Sequence, residues 1–140
     1  MDAWARELLD VWKTNIRPLA ETFIEKIATN PELTVRYSVG DVEQMANGIY
    51  AMMEEELDGR GREVYATYLQ SVIPALVMQG EGLPTMVRSV TLNAVIIHQA
   101  IVDKISDTHR KAVSEYLMNW WANHNADVTK IALDMMKEQS

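Results

Sequence analysis

A chain of 140 residues with 13 basic and 20 acidic side chains, a formal net charge of −7 and no cysteine is long enough for one domain that buries roughly two thirds of the surface its unfolded chain would expose. The negative balance argues against a phosphate backbone or an anionic membrane surface as partner, and the lack of thiols excludes disulfides, thiolate metal sites and thiol catalysis. No basic segment leading into an apolar run suggests export and no window of about 20 apolar residues reads as a bilayer span, so the expectation is a cytoplasmic protein with no nucleic-acid and no membrane partner.

Taken in chain order, the apolar residues keep helical spacing. Trp4, Leu8, Trp12, Ile16, Leu19, Phe23 and Ile27 form one stripe interrupted by Pro18, which removes a donor and disfavours helix at Arg17, predicting two short helices or one kinked helix. After the Asn30-Pro31 turn, Ser38 is placed to cap a helix with Asp41 in its first turn and Val42, Met45, Ile49, Met52 or Met53, and Leu57 on its inner face. The acidic run Glu54 to Glu56 reads as the solvated face. Asp58, Gly59 and Gly61 end that helix, and Tyr65, Leu69, Val72 and Leu76 mark another, in which Pro74 predicts a kink.

Gly80 to Pro84 makes the turn into the segment that says most. Leu83, Val87, Val90, Ala94, Ile97, Ile101 and Ile105 lie on one stripe, while Leu92 and Ile96 point roughly the opposite way. Such a helix is wrapped on both sides, by its own bundle or by a bundle and a partner subunit. Beyond Ser106 and Asp107, Val113, Leu117, Trp120, Val128, Ile131 and Met135 stripe a long last helix. Alternation from Leu33 to Val39 is too brief for a strand, and no hairpin turn joins two β-branched runs. The fold class is all-α: a single-domain bundle of five to seven helices.

Chemistry has few footholds. No His-Glu-x-x-His, Glu-x-x-His pair or Asp-rich loop supplies a metal-ligand spacing, and there is no nucleophile elbow or phosphate-cradling glycine loop, so no metal and no enzymatic activity are expected. Three histidines remain. His98 sits among Val95, Ile97, Ile101 and Val102; it is a core histidine or, alternatively, a haem ligand. His124 lies on the stripe of the last helix with Asp127 three residues on, a candidate acid–imidazole pair that tunes structure or pH response. His109, beside Arg110 and Lys111, reads as a surface residue. A histidine phosphotransfer bundle using His98 or His109 is a further alternative, though neither is followed by the His-x-x-Lys-Gly pattern. The methionines, among them Met45, Met52, Met53, Met78 and Met86, either fill a core or line an adaptable apolar pocket suited to a fatty acid or similar molecule. The inferred faces of Tyr68, Val72, Met86, Val90 and His98 converge as a candidate ligand site, and Leu92, Ile96 and Trp121 are candidates for a dimer contact.

The order of these elements carries a resemblance. The helical start Glu-Leu-Leu-Asp-Val-Trp at Glu7 to Trp12, an Asn-Pro turn, a central acidic helix, the turn Gln-Gly-Glu-Gly-Leu-Pro at Gln79 to Pro84 and the all-round apolar helix together resemble the N-terminal sensor domain of RsbR-type stressosome proteins. The likeness covers nearly the whole chain and rests on helix order and lengths and on that turn. It implies a non-haem globin-like fold, a homodimer formed through the later helices, and a signal passed to a STAS domain or to other stressosome proteins. Related stand-alone sensor globins bind fatty acids where haem would sit. The family has no catalytic residues to carry over. The 140 residues include no STAS domain with its phosphoacceptor threonines, leaving both a free-standing regulator and a part of a longer one as readings.

Overall fold

The break between the first two helices falls at Asn15, not at the proline. In a computed structural model, which describes residues 1–28 and 38–139, α1 (Ala3–Thr14) buries Ala5, Leu8, Leu9 and Trp12. Asn15 closes it: its backbone N–H reaches Val11 O and Trp12 O at 3.2 and 3.1 Å, and its side-chain amide reaches Val11 O at 2.7 Å. The Asn15 carbonyl then accepts from Leu19 N at 2.9 Å and starts α2 (Ile16–Ala28). Pro18 therefore sits in the first turn of α2, where no helical donor is required, and Arg17 is helical rather than extended as its neighbour suggested. The Asn30-Pro31 turn, most of the Leu33 to Val39 stretch and the Ile27 side chain lie outside the described residues.

Ser38 caps α3 (Val39–Leu57) with a complete capping box: its hydroxyl accepts from Asp41 N at 3.1 Å, and the Asp41 carboxylate accepts from Ser38 N at 3.0 Å. The inner face is Val42, Ala46, Met52 and Met53. Met45 is exposed and Ala46 is buried beside it, while Val42, Met52 and Met53 lie on the inner face as expected and Ile49 and Leu57 pack against it. At the far end Gly59, at φ 74°, and Arg60 donate to the carbonyls of Glu56 and Glu55, a left-handed glycine cap that satisfies two end-of-helix acceptors. The acidic run is more than a solvated face: Glu55 accepts from Val64 N at 3.0 Å and Glu56 pairs with Arg62 at 3.1 Å, so α3 caps the start of α4 (Glu63–Met78).

Helix α4 runs on through Pro74 and buries Tyr65, Ile73 and Val77, whereas Val72 is exposed. Gly80, at φ 87°, ends it with the same glycine cap, Gly80 N reaching Val77 O and Glu81 N reaching Leu76 O, both at 3.0 Å. Helix α5 (Leu83–Val102) follows, with Pro84 in its first turn. Its length and a mean hydropathy of 1.3 make it apolar enough to cross a membrane, which corrects the sequence reading. Its place in the bundle accounts for that composition: α5 packs on α6 (Asp107–Gln139), α2 and α1, and its exposed residues reduce to one stripe, Pro84, Arg88, Thr91, Val95 and Gln99. Both sides are covered from within the chain. Ile97 and Ile101 join the main core with Leu8, Trp12, Met53, Leu117 and Trp120, while Ile96 packs with Ala20, Phe23 and Val42 of α2 and α3. A third cluster, Ile73, Val77, Met86, Val128 and Ala132, closes the end formed by α4, α5 and α6. The molecule is thus an all-α bundle of six helices in the described residues, consistent with a globin-like arrangement.

One polar corner ties the first helix to the last. The Glu7 carboxylate accepts from Ser106 N at 2.7 Å and from the Ser106 hydroxyl at 2.6 Å, and lies 2.7 Å from His109 Nδ1. His109 is therefore half-buried in a network, not a free surface residue. These contacts, the Ser106 bonds first, hold the Glu7 carboxyl down from its ordinary 4.5 to about 2. A depressed carboxyl stabilises the fold above its unfolded pKa, and that contribution is lost as pH falls from about 4.5 toward 2. With the Glu7 side chain 24% exposed, solvent screening limits the effect to about 1–2 kcal/mol. Glu7→Gln is expected to lower stability at neutral pH by that amount and to flatten the acid limb of a urea-unfolding series below pH ~4.5.

Candidate functional site

Three neighbours on α6 carry the interior chemistry. Trp120 and Trp121 are four and three residues before His124, the spacing that brings side chains together on one helical face, and α4 brings Tyr65 and Tyr68 against them. The rings of Trp120, Tyr65, Trp121 and Tyr68 stand 5.2, 5.7, 5.8 and 5.9 Å from the His124 ring. His124 is 5% exposed and is the only polar residue in the buried set among the described residues. The expected imidazole–carboxylate pair is in fact bridged: the Tyr65 hydroxyl donates to Asp127 Oδ2 at 2.7 Å and lies 3.1 Å from His124 Nδ1. Arg62 covers the Tyr65 ring, its guanidinium carbon 4.3 Å from the centroid.

This geometry fixes the proton positions. Tyr65 has one hydroxyl hydrogen and gives it to a carboxylate, which can only accept, so the Tyr65 oxygen must accept from Nδ1–H of His124. The neutral ring then keeps its lone pair on Nε2. Burial drives His124 down from 6.5 to about 4, against the opposing pull of the Asp127 charge, so the imidazole is uncharged at neutral pH. Burial, reinforced by Asp127, pushes the Tyr65 hydroxyl up, and it remains a protonated donor.

The ring group faces a cavity of about 100 Å³ where the three apolar clusters meet. Phe23 of α2, Met45 and Met52 of α3, Tyr68 and Ile73 of α4, Met86 and Val90 of α5, and Trp120, Trp121, His124 and Val128 of α6 contribute to its wall. Neither indole N–H of Trp120 or Trp121 has a hydrogen-bond partner, an uncommon state for buried donors. Of the residues expected to form a ligand site, Tyr68, Met86 and Val90 meet here. Val72 and His98 do not: Val72 points away because α4 buries the neighbouring Ile73 instead, and His98 Nε2 lies 3.2 Å from the Ser114 hydroxyl beside a different, open depression. The cavity is smaller than the roughly 300–1,000 Å³ of pockets for larger ligands. Among the described residues no three metal-ligating side chains come together.

That second depression, about 440 Å³, runs between α5 and α6 and is lined by Val90, Ala94, Val95, His98, Leu117, Met118, Trp121 and Ala122, among others. Val95 and Met118 are 49% and 61% exposed. The dimer-contact candidates fall differently from expectation. Ile96 and Trp121 are buried inside the chain, at 7% and 6% exposure, because α2 and α3 cover the first and the aromatic group on α6 packs around the second; Leu92 is half-buried. Two residues, Val90 and Trp121, line both the inner cavity and the outer groove. Tyr65 and Trp120 were missed as site residues. Spacing alone marks Tyr65 only as a stripe position on α4, 59 residues from His124, and Trp120 only as core.

No family model, curated protein or solved structure matches the chain.

Proposed function

We propose that this chain is a non-enzymatic, cytoplasmic sensor or scaffold domain of the non-haem globin-like kind found in RsbR-type stressosome regulators, acting as a homodimer and passing its state to a STAS-domain or other stressosome protein. The observation that carries the reading is the shared wall. Trp121 and Val90 separate a cavity that can take a small molecule from an exposed apolar groove on α5 and α6. A ligand that shifts Trp121 changes the shape the groove offers to a second subunit, which is the differential contact a population shift requires. The exposed Val95 and Met118 supply the apolar centre such a contact needs.

Sedimentation velocity over a wide concentration range tests it. The wild-type chain is expected to run as a dimer, and Met118→Asp and Val95→Asp as monomers with unchanged helical circular dichroism, since both side chains are exposed and charging them leaves the core alone. A wild-type chain that stays monomeric throughout, or a dimer indifferent to both substitutions, would falsify the reading.

A further inference from the structure

The aromatic group shared by α4 and α6 is ordered so that an electron can leave it and one particular proton can follow. Trp121 borders the open groove between α5 and α6. Its ring centroid is 4.9 Å from that of Trp120, which in turn is 5.8 Å from that of Tyr65, each pair meeting edge to face, the separation of aromatic rings in contact. Rings in contact exchange an electron far faster than a radical is lost by collision with another molecule, so an electron vacancy placed on Trp121 has an open way to Tyr65.

The proton decides where that vacancy stops. Removing an electron from an indole or a phenol turns its N–H or O–H into a strong acid, and the oxidised ring settles once the proton has gone. The indole nitrogens of Trp120 and Trp121 are closed to solvent and have no hydrogen-bond partner, so neither radical cation has a base to receive its proton and each remains a strong oxidant. Tyr65 has one: its hydroxyl donates to Asp127 Oδ2 at 2.7 Å, a carboxylate that can only accept. Asp127 is half-buried and can release the proton to water, while His124 Nδ1, 3.1 Å away, continues to bond the Tyr65 oxygen. Tyr50 also donates to a carboxylate, Glu54 at 3.2 Å, but does not belong to this run of touching rings.

We propose that Trp121, Trp120, Tyr65 and Asp127 form a one-electron oxidation path, which carries the vacancy left by a small oxidising radical from the α5–α6 groove to a tyrosyl radical on Tyr65. The oxidant takes one electron from Trp121 and becomes an anion. The Trp121 radical cation takes one from Trp120, and the Trp120 radical cation takes one from Tyr65 as the Tyr65 O–H bond breaks and an O–H bond forms on Asp127. The products are a neutral phenoxyl, a carboxylic acid and two restored indoles. The path stands independently of the dimer reading and is tested without it.

Pulse radiolysis of the full chain in azide solution is the test, the azidyl radical being the oxidant and azide its product. Trp4→Phe is the working background, because Trp4 rests on Tyr116 and offers a second indole-to-tyrosine step. The indole-radical absorption is expected to decay as the tyrosyl absorption rises, with a single rate constant that is independent of protein concentration and smaller in heavy water than in ordinary water. Asp127→Asn is expected to slow this conversion about tenfold or more, Tyr65→Phe to abolish it, and Tyr50→Phe to leave it unchanged. Because Tyr65→Phe can lose the fold, the solvent-isotope comparison and Asp127→Asn also decide without it. An indole radical that decays with no tyrosyl rise, a rate proportional to protein concentration, or a conversion indifferent both to Asp127→Asn and to heavy water overturns the path. A tyrosyl signal that survives in folded Tyr65→Phe, or is lost in Tyr50→Phe, does the same.

Discussion

Between pH 6.5 and 4 the fold is expected to lose about 3 kcal/mol through one side chain, His124. The sign follows from its depressed pKa. Burial among Trp120, Trp121, Tyr65 and Tyr68 lowers the imidazole from 6.5 to about 4, so as pH falls through that window the unfolded chain takes up a proton that the folded chain refuses. Stability is full above about 6.5 and drains away toward 4. Glu7 acts lower, from about 4.5 to 2, so the two contributions separate along the pH axis. Urea-unfolding free energies at a series of pH values measure both: wild type is expected to decline steeply between 6.5 and 4, and His124→Phe to be nearly flat there. A variant that declines as steeply as the wild type would move the acid sensitivity to some other group. On a total of about 5–15 kcal/mol for a domain, a loss of this size is large.

Trp12→Ala is expected to cost about 4–5 kcal/mol, near the limit of what a domain this size survives. Trp12 is fully buried in the cluster that joins α1, α3, α5 and α6, and its indole donates to Ala46 O at 3.0 Å across 34 residues of sequence. Alanine leaves a cavity the size of an indole, and the bond goes with it. Trp12→Phe separates these losses: it keeps most of the ring and removes the donor, and is expected to cost about 1–2 kcal/mol. Equilibrium urea denaturation of the pair checks both numbers. If alanine cost no more than phenylalanine, filling the core at this position would matter less than the bond.

How much of this was readable beforehand depends on whether the governing interaction is local. Ser38 with Asp41, Gly59 and Gly80 act within a few residues of themselves, and the ends of α3 and α4 fall where those residues put them. The two-sided character of α5 was legible because Ile96 and Ile97 cannot share a face; which neighbour covers Ile96 was not, since Ala20, Phe23 and Val42 come from distant segments. On α4, Val72 and Ile73 are adjacent and equally apolar, and on α3 Met45 and Ala46 compete in the same way. The choice within each pair is made by the helices packed against it, so Met45 and Val72 depart from their stripes while Val42, Met52, Met53 and Tyr65 keep the buried places that spacing alone put them in. The site was half visible. His124 and Asp127 are close in sequence, but Tyr65, which joins them, is not. An unpartnered indole is a property of surroundings that a single chain does not spell out.

The Glu7 corner also constrains how the chain can be made. Glu7 takes its partners from Ser106 and His109, 99 and 102 residues later, and the Trp4 ring packs at a tilt with its centroid 5.5 Å from that of Tyr116. At about 5–20 residues per second on the ribosome, α1 waits on the order of 5–20 seconds for the surface it finally rests on. Helix α3 arrives first and can shelter Trp12 through Ala46, but Glu7 gains its hydrogen-bond partners and Trp4 its contact with Tyr116 only once Ser106, His109 and Tyr116 are synthesised. The N-terminal helix is thus among the first parts of the molecule to be born and among the last to settle, and an incomplete chain ending before Ser106 would present Trp4 to the chaperones that survey nascent proteins.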